Sequence, residues 1–281
     1  MKHVKNDYRN SKGKADIASL TLPELQEYTA ELAEKSGLKI EKFRAGQIFE
    51  WLTRGVYDFE EMTNLSAKLR EVLRSDAYLT LPHVKVKLVS KIDGTVKYLF
   101  ELADGECVES VFMRYEHGNT ICISTQVGCR MGCTFCASTL GGLVRNLLPS
   151  EMLGQIIAAQ NDTGERISNI VMMGIGEPLD NYDNTRKFLR LVNDPKGLNI
   201  GQRHISLSTC GLCDKIRMLA DEDLQITLSV SLHAPNGERR AKLMPVARKF
   251  SLDELMEACR YYLEKTGRRI SFEYSMIHGE N

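Results

Sequence analysis

The chain has 281 residues, of which 43% are hydrophobic and 26% charged, values typical of a globular enzyme with one large and one small domain. Lys and Arg balance Asp and Glu at 37 each, so the zero net charge excludes an overall attraction to nucleic acid or anionic membranes. Because no apolar run could span a bilayer and the N-terminus lacks a signal core, we predict a cytosolic (cytoplasmic) protein without membrane contact. In that reducing compartment, the eight cysteines indicate metal binding or redox catalysis.

The N-terminal part is predicted to be a flexible basic tail followed by a helical domain. Residues 1–18 are polar and basic, which favours a flexible tail, although a basic arm that contacts RNA phosphates is the alternative. A small accessory domain is predicted over residues 19–80, with Asn64 as the cap of its last helix. Its exposed Lys and Arg residues are either solvated faces or an RNA-binding surface. Three segments have apolar residues at helical spacing: 21–37, 42–53 and 64–75.

The rest of the chain is predicted to be an α/β unit preceded by a short antiparallel β layer. The layer occupies residues 81–114, where the apolar period is two, with strands over 83–90, 96–102 and 107–114. Over residues 115–281 strands and helices alternate, which predicts a partial parallel (β/α) barrel like that of TIM barrels, with its active site at the carboxyl ends of the strands. The candidate strands lie over 120–125, 168–173, 204–208, 225–232 and 270–277.

Three cysteines, Cys129, Cys133 and Cys136, follow the first of these strands with the spacing C-x3-C-x2-C. Thiolates so close in sequence hold an iron–sulfur cluster or contribute to a zinc site. Structural zinc sites and redox clusters normally take four protein ligands. Three ligands therefore leave one coordination position for a molecule that is not protein, which favours a catalytic cluster.

Three further motifs follow predicted strands, and in a parallel barrel they meet the cysteine loop at one mouth. Taken singly, the glycine pair Gly174 and Gly176 is a tight turn, Ser208 a polar loop residue or helix cap, and His233 a structural histidine. Bare backbone at the two glycines would also let a ligand approach closely. The convergence of the loops, rather than any one motif, predicts the site. The motifs occupy residues 173–178, 208–211 and 231–236.

The cysteine spacing, with the aromatic Phe135 before the last cysteine, resembles the signature of radical S-adenosylmethionine (SAM) enzymes. The wider pattern resembles a narrower family among them, the dual-specificity adenine-C2 methyltransferases of 23S ribosomal RNA and tRNA. The resemblance covers roughly residues 20–281 and rests on dense motifs. The matching stretches include Glu109, 122–129, 146–147, 172–179, 208–211 and 231–236.

This resemblance implies the cofactors and the residues that bind them. Cys129, Cys133 and Cys136 would ligate a [4Fe-4S] cluster, whose remaining iron chelates SAM before one electron splits off a 5′-deoxyadenosyl radical. The implied SAM contacts are Gly176, Glu177, Ser208, Ser231, Leu232 and His233.

The resemblance also implies a mechanism and partners. Glu109 would be the general base that removes the proton from adenine C2. Cys122 would form a transient disulfide bond that releases the methylated base. From the residues alone, Glu109 is an exposed strand glutamate and Cys122 a small core residue. The reaction uses two SAM molecules and an external electron donor, flavodoxin-like or similar. The substrates are 23S rRNA and tRNA, the latter at the adenine 3′ of the anticodon, and we expect a monomer.

The methyl-carrying cysteine of that family lies beyond the point that matches residues 274–281. None of the other cysteines, Cys107, Cys210, Cys213 and Cys259, occupies a matching position. We therefore interpret the sequence as a C-terminally incomplete form of such an enzyme. The expectation is cofactor binding and SAM cleavage without complete methyl transfer.

Other interpretations remain open at this point. One is a radical SAM enzyme with another substrate, against which Glu109 and Cys122 argue. Another is a non-catalytic zinc or iron–sulfur module, which needs a fourth ligand such as Cys122 or Cys210. The basic run from Arg239 to Lys249 is either a solvated helix face or a contact for RNA phosphates.

Overall fold

The computed structural model describes residues 8–281, so the first seven residues of the predicted tail lie outside the described part. Its N-terminal unit packs three helices, α1–α3, and a short parallel strand pair, β1 and β2, around one apolar core. In chain order these elements are β1 Ala15–Asp16, α1 Leu22–Ser36, α2 Arg44–Arg54, α3 Ala67–Asp76 and β2 Ala77–Tyr78.

The structure corrects two expectations in this unit. The predicted tail ends too late, because β1 pairs with β2 and Ile17 is completely buried in the helical core. The cap of α3 is Ser66, whose Oγ accepts a hydrogen bond from Leu69 N at 3.3 Å. Asn64, predicted to be the cap, instead accepts a hydrogen bond from Trp51 Nε1 at 2.7 Å. The Thr21 capping box of α1 is confirmed.

The remaining strands and helices form the larger unit. Its strands are β3 His83–Val89, β4 Val96–Glu101, β5 Cys107–Met113, β6 Thr120–Cys122, β7 Gln126–Gly128, β8 Leu143–Asn146, β9 Asn169–Met172, β10 Ile205–Thr209, β11 Thr227–Ser231 and β12 Ile270–Glu273. Its helices are α4 Pro149–Thr163, α5 Tyr182–Asn193, α6 Cys213–Ala220, α7 Gly237–Leu243 and α8 Leu252–Thr266.

Eight of these strands form one sheet in the order β12-β11-β10-β9-β6-β5-β4-β3. Strands β6 and β9–β12 are parallel, as in a partial TIM-like barrel, which confirms the predicted fold class. The antiparallel layer β3–β5 joins this sheet directly, because β5 pairs with β6. The predicted strand over 120–125 is shorter: it ends at Cys122, and β7 turns away to pair with β8.

The two faces of the sheet differ in character. One face is apolar and buried, with Tyr98, Phe112, Ile170, Leu207 and Val230 each at most 1% exposed. The opposite face, which we call the open face, is less buried and more polar. The pairing register places these residues on it: Glu109, Val111, Cys122, Val171, Ser206, Ser208, Ser229, Ser231 and Glu273. Over residues 8–281, no helix has the length and apolar character that crossing a bilayer requires.

Candidate active site

The cysteine loop is held by the β7–β8 hairpin. Cys129 N donates a hydrogen bond to Gly142 O at 2.9 Å, and this closes the base of the loop. Gly128 has a φ of 71°, and a Cβ there would lie 2.0 Å from Gly142 O. Only glycine satisfies both conditions. At its far side the loop is fixed by Thr134 N, which donates to Leu243 O at 2.9 Å.

All three cysteines of the motif line one cavity of about 210 Å³ at the carboxyl ends of the parallel strands. This is the convergence that the loop motifs predict. Leu232 is absent from that lining; its backbone N donates to Glu273 O at 3.0 Å. The predicted cofactor contacts that share the cavity with the cysteines are Gly176, Glu177, Ser208, Ser231 and His233.

Two of the three thiols are protonated at neutral pH unless a cation binds them. Burial, followed by the neighbouring Cys129 and Cys136, raises the pKa of Cys133 to about 11, and burial also raises the pKa of Cys129. Thiolates in such a place need a positive partner, which the iron of a cluster would supply. Within residues 8–281, no three His, Cys, Asp or Glu side chains converge closely enough to hold a single metal ion.

The glycines of the second motif have a packing role. A Cβ at Gly174 would lie 2.7 Å from Ile123 O, and one at Gly176 would lie 2.6 Å from Gln126 Cβ. Both positions therefore face the chain that follows β6, which leaves no room for a side chain. Packing against this part of the chain is therefore one reason for glycine at both positions. Both glycines also line the cavity, where their bare backbone would let a ligand approach closely.

Glu177 ties two of the converging loops together. Its side chain is 3% exposed, and its two oxygens accept hydrogen bonds from Cys210 N at 2.7 Å and Leu179 N at 3.0 Å. Burial raises the pKa of this carboxyl. The side chain therefore fixes the loop after β9 to the loop after β10.

His233 is fixed against the cysteine loop. Its Nδ1 accepts a hydrogen bond from Ser275 N at 3.0 Å, so the neutral ring carries its proton on Nε2. Phe135 contacts the imidazole edge-on, with ring centroids 4.9 Å apart. Burial, together with the positive charge of Arg240, lowers the pKa of His233. A neutral imidazole thus faces the cavity.

Glu109 and Cys122 are not part of the cavity lining, but they share the open face. Val111, two residues after Glu109, pairs with Cys122 in the register of β5 and β6. Glu109 is half-exposed and forms an ion pair with Lys97 at 2.8 Å. The Cys122 thiol is half-buried, and burial raises its pKa.

Sequence reasoning missed α7 and the place of Arg240. That residue was counted in the basic run from Arg239 to Lys249, but it is completely buried and cannot contact RNA. Its burial follows from the helix: α7 turns Arg240 inward while Arg239 and Lys242 stay exposed. The sequence carried little signal for this burial, because α7 has only seven residues and Leu243 is its one buried residue besides Arg240.

A larger cavity of about 840 Å³ lies between the N-terminal unit and the strand–helix core. Tyr78 and Arg145 line it from the two units, and Lys215 lies on its rim. None of the predicted site residues is among its lining residues. Size alone therefore does not identify the reaction centre, and the smaller cavity with the three thiols is the candidate active site.

A parallel half-barrel that brings three thiols of one loop to its strand ends is the arrangement of radical SAM enzymes. The family model described as "Radical SAM superfamily" matches residues 123–281. A second model, "Ribosomal RNA large subunit methyltransferase N-terminal domain", matches residues 15–79. The crystal structure of a radical SAM methyltransferase from Sphaerobacter thermophilus superposes with a TM-score of 0.87 at 41% identity, covering 95% of this chain and 77% of that one.

Curated relatives are similar over nearly the whole chain. A protein of Alkaliphilus oremlandii named "Probable dual-specificity RNA methyltransferase RlmN" is 58% identical over 95% of this chain and 76% of its own length. The protein of the same name from Clostridium tetani is 56% identical over 95% of this chain and 74% of its own. The chain therefore belongs to the radical SAM superfamily and, within it, to the RlmN family of RNA methyltransferases. Radical SAM enzymes use a [4Fe-4S] cluster and SAM.

Proposed function

We propose that the chain is a radical SAM methyltransferase that acts on C2 of adenine in 23S rRNA and in tRNA. The observation that carries this proposal is the single cavity at the strand ends, which gathers Cys129, Cys133 and Cys136 with Gly176, Ser208, Ser231 and His233. The names of the relatives support an RNA substrate and dual specificity, and the N-terminal family model names large-subunit ribosomal RNA.

In this proposal the three cysteines hold the [4Fe-4S] cluster, which when bound supplies the electron that cleaves SAM. The hydroxyl groups of Ser208 and Ser231, on the neighbouring strands β10 and β11, bind SAM by hydrogen bonds. Gly176 and Glu177 contact it through their backbone, because the Glu177 carboxylate is occupied by backbone N–H groups. Leu232 and neutral His233 complete the contacts.

Glu109 and Cys122 act on the RNA side of the site. The half-exposed carboxylate of Glu109, paired with Lys97, can accept a proton from the adenine. Cys122 lies near it on the open face. In the family's reaction the matching thiolate attacks the sulfur of the methyl-carrying cysteine, so the bond from that sulfur to the methylene carbon on adenine breaks as the disulfide forms. An external thiol reductant then restores both cysteines; no cysteine of the 281 residues matches the methyl-carrying position. Both groups thus face the substrate from one side of the sheet.

The proposal also includes the contacts with RNA phosphates, the electron donor and the oligomeric state. The exposed members of the basic run, Arg239, Lys242, Arg248 and Lys249, contact RNA phosphates beside the cavity. A flavodoxin-like protein donates the electron, and the enzyme works as a cytoplasmic monomer.

Anaerobic reconstitution with iron and sulfide tests the site. We expect roughly four irons per chain, a visible spectrum that changes on addition of SAM, and 5′-deoxyadenosine after reduction with dithionite. Cys133→Ala should lose both the cluster and the formation of 5′-deoxyadenosine. Cys259→Ala, on the buried face of α8, should keep both. One zinc per chain without colour would support the non-catalytic module and contradict the proposal.

The RNA substrate is tested separately. Ser208→Ala should weaken SAM binding about tenfold without loss of iron, because one hydrogen bond to a charged ligand is removed. A tRNA anticodon stem-loop or a 23S rRNA fragment should bind to the reconstituted protein more tightly than a duplex without an unpaired adenine. Equal affinity for all three would favour a different substrate. Incubation of these RNAs with the reconstituted protein, SAM and dithionite shows whether the 281-residue chain forms any C2-methyladenine.

A further inference from the structure

Arg240 is a buried cation without a buried anion. It is completely buried, yet the guanidinium forms no salt bridge with any carboxylate among residues 8–281. Nη2 donates to Cys210 O at 2.6 Å and to Ser231 O at 3.0 Å. Nε and Nη1 have no hydrogen-bond partner.

This arrangement is unfavourable for the fold taken alone. A buried charge loses its hydration, and nothing of opposite charge in the protein compensates it. Replacement of such groups by apolar side chains of similar size is often neutral or stabilising. The presence of an arginine here therefore points to an anionic partner that the polypeptide does not itself provide.

The position of Arg240 identifies that partner. Cys210 directly follows β10 and Ser231 is the last residue of β11, so the guanidinium bridges the carboxyl ends of two strands at the cavity. The same helix holds the cysteine loop through Leu243 O, and Cys133 packs in one apolar cluster with Cys210 and Leu243. The groups that act electrostatically on Arg240 are thiols, including that of Cys133.

We propose that Arg240 is a positioning residue that joins the loops after β10 and β11 behind the cysteine loop and balances the negative charge of the thiolate-bound cluster. This inference rests on the proposed assignment of Cys129, Cys133 and Cys136 as cluster ligands. Three thiolates and their sulfide-bridged irons carry net negative charge, and reduction by one electron from an external reductant makes it more negative by one. A cation buried behind the cluster therefore favours the reduced form.

The matched variants are Arg240→Met, which keeps the length and removes the charge, and Arg240→Lys, which keeps the charge. Arg260→Met, at an exposed position of α8, is the control. Each protein is reconstituted anaerobically, its iron is counted, and the cluster is titrated with dithionite while its spectrum is recorded. SAM binding is measured by the change in that spectrum, and unfolding by circular dichroism.

We expect Arg240→Met to unfold at the same temperature or higher, while the reduced-to-oxidised ratio at a fixed potential falls about tenfold, equivalent to about 59 mV for a one-electron couple. SAM binding should weaken about tenfold, because Ser231 and the loop after β10 lose their common anchor. Arg240→Lys should recover the potential, and Arg260→Met should match the wild type in both measurements.

Each result decides the proposal. A normal potential in cluster-loaded Arg240→Met would overturn it, as would a lower unfolding temperature with unchanged potential, which describes a structural role. If Arg240→Met takes up no cluster, loading of Arg240→Lys supports the charge assignment, and failure of both variants contradicts it. A wild-type protein that binds no iron would instead contradict the proposed function.

Discussion

The chemistry of Cys122 depends on where its thiol lies on β6. Burial is the largest cause that raises its pKa, and the nearby negative charge of Glu273 raises it further. A hydrogen bond from the backbone at Met173 lowers it in part. The thiol is therefore protonated at neutral pH in this structure. In the release step that we propose, the thiolate must be generated when RNA is bound.

Glu273→Gln should lower the pKa of Cys122, because it removes a like charge that opposes the thiolate. At pH 8 we expect Cys122 to react with iodoacetamide about two-fold faster in this variant than in the wild type. In both proteins the rate should rise with pH through 9 and above, since only the thiolate reacts. Timed labelling followed by peptide mass spectrometry measures the rate for each cysteine.

Cys107 provides the internal reference for this measurement. Its thiol lies at the start of β5 and contacts Lys85 Nζ and Gly105 O, so its rate should be the same in both proteins. An unchanged Cys122 rate, with Cys107 also unchanged, would show that Glu273 does not act on this thiol.

At the level of elements, the β7–β8 hairpin decides whether the cysteine loop keeps its shape. Gly128→Ala would place a Cβ 2.0 Å from Gly142 O on a backbone with φ of 71°. The hairpin must shift, which breaks the bond from Cys129 N to Gly142 O. We expect destabilisation of about 2 kcal/mol or more and a clear loss of iron per chain after reconstitution.

Gly141→Ala is the matched control in the same hairpin, because a Cβ there has no atom within 4 Å. It should keep full iron content and change stability by less than about 0.5 kcal/mol. Equal iron content in both variants would show that the cysteine loop does not depend on the hairpin.

Elements with a clear local signal could be predicted from the sequence. The Ser251–Glu254 capping box begins α8, and Gly37 ends α1 in a left-handed conformation. The period of two gave β3–β5 to within a residue or two. The β7–β8 hairpin was missed because its strands are three and four residues long, and α7 because its seven residues are too few for a helical period.

The candidate site was predictable where sequence neighbours form it and where the alternation of strands and helices brings the strand-end loops together. The three cysteines lie in one loop, so their spacing alone indicated a common ligand. The buried setting of Arg240 depends on Cys210 and Ser231, which are distant in sequence and meet only in the sheet. Likewise, the eight-stranded sheet could not be predicted. It forms because β5 pairs with β6, and the sequence alone does not give the order of the strands.

At the scale of the whole molecule, a small buried polar cluster connects the N-terminal unit with the core. Asp16 Oδ2 accepts hydrogen bonds from Ser19 Oγ and, at 2.6 Å, from Ser150 Oγ at the start of α4. Lys187 of α5 forms an ion pair with Glu24 of α1 beside it. Asp16 is completely buried, and its Oδ1 has no hydrogen-bond partner. Burial raises the pKa of its carboxyl from 3.8 to about 6.

This raised pKa makes the stability of the folded chain depend on pH. Below about pH 4 the carboxyl is protonated in both the folded and the unfolded chain. Between pH 4 and 6 the unfolded chain loses the proton first, so the free energy of unfolding falls as pH rises. The difference between 3.8 and about 6 corresponds to roughly 3 kcal/mol, which is fully lost above the folded-state pKa.

Asp16→Asn removes this ionisation and keeps a group of the same shape that can accept the bonds from Ser19 and Ser150. The variant should therefore gain stability relative to the wild type as pH rises from 4.5 to 7.5, and Tm measured by circular dichroism at several pH values shows the gain. Asp214→Asn, at an exposed position of α6, is the matched control, because its carboxylate is hydrated in both states. A Tm difference between Asp16→Asn and the wild type that stays constant over this range would contradict the raised pKa of Asp16. A Tm difference that grows as pH rises would show that ionisation of Asp16, at the junction between the two units, opposes their packing.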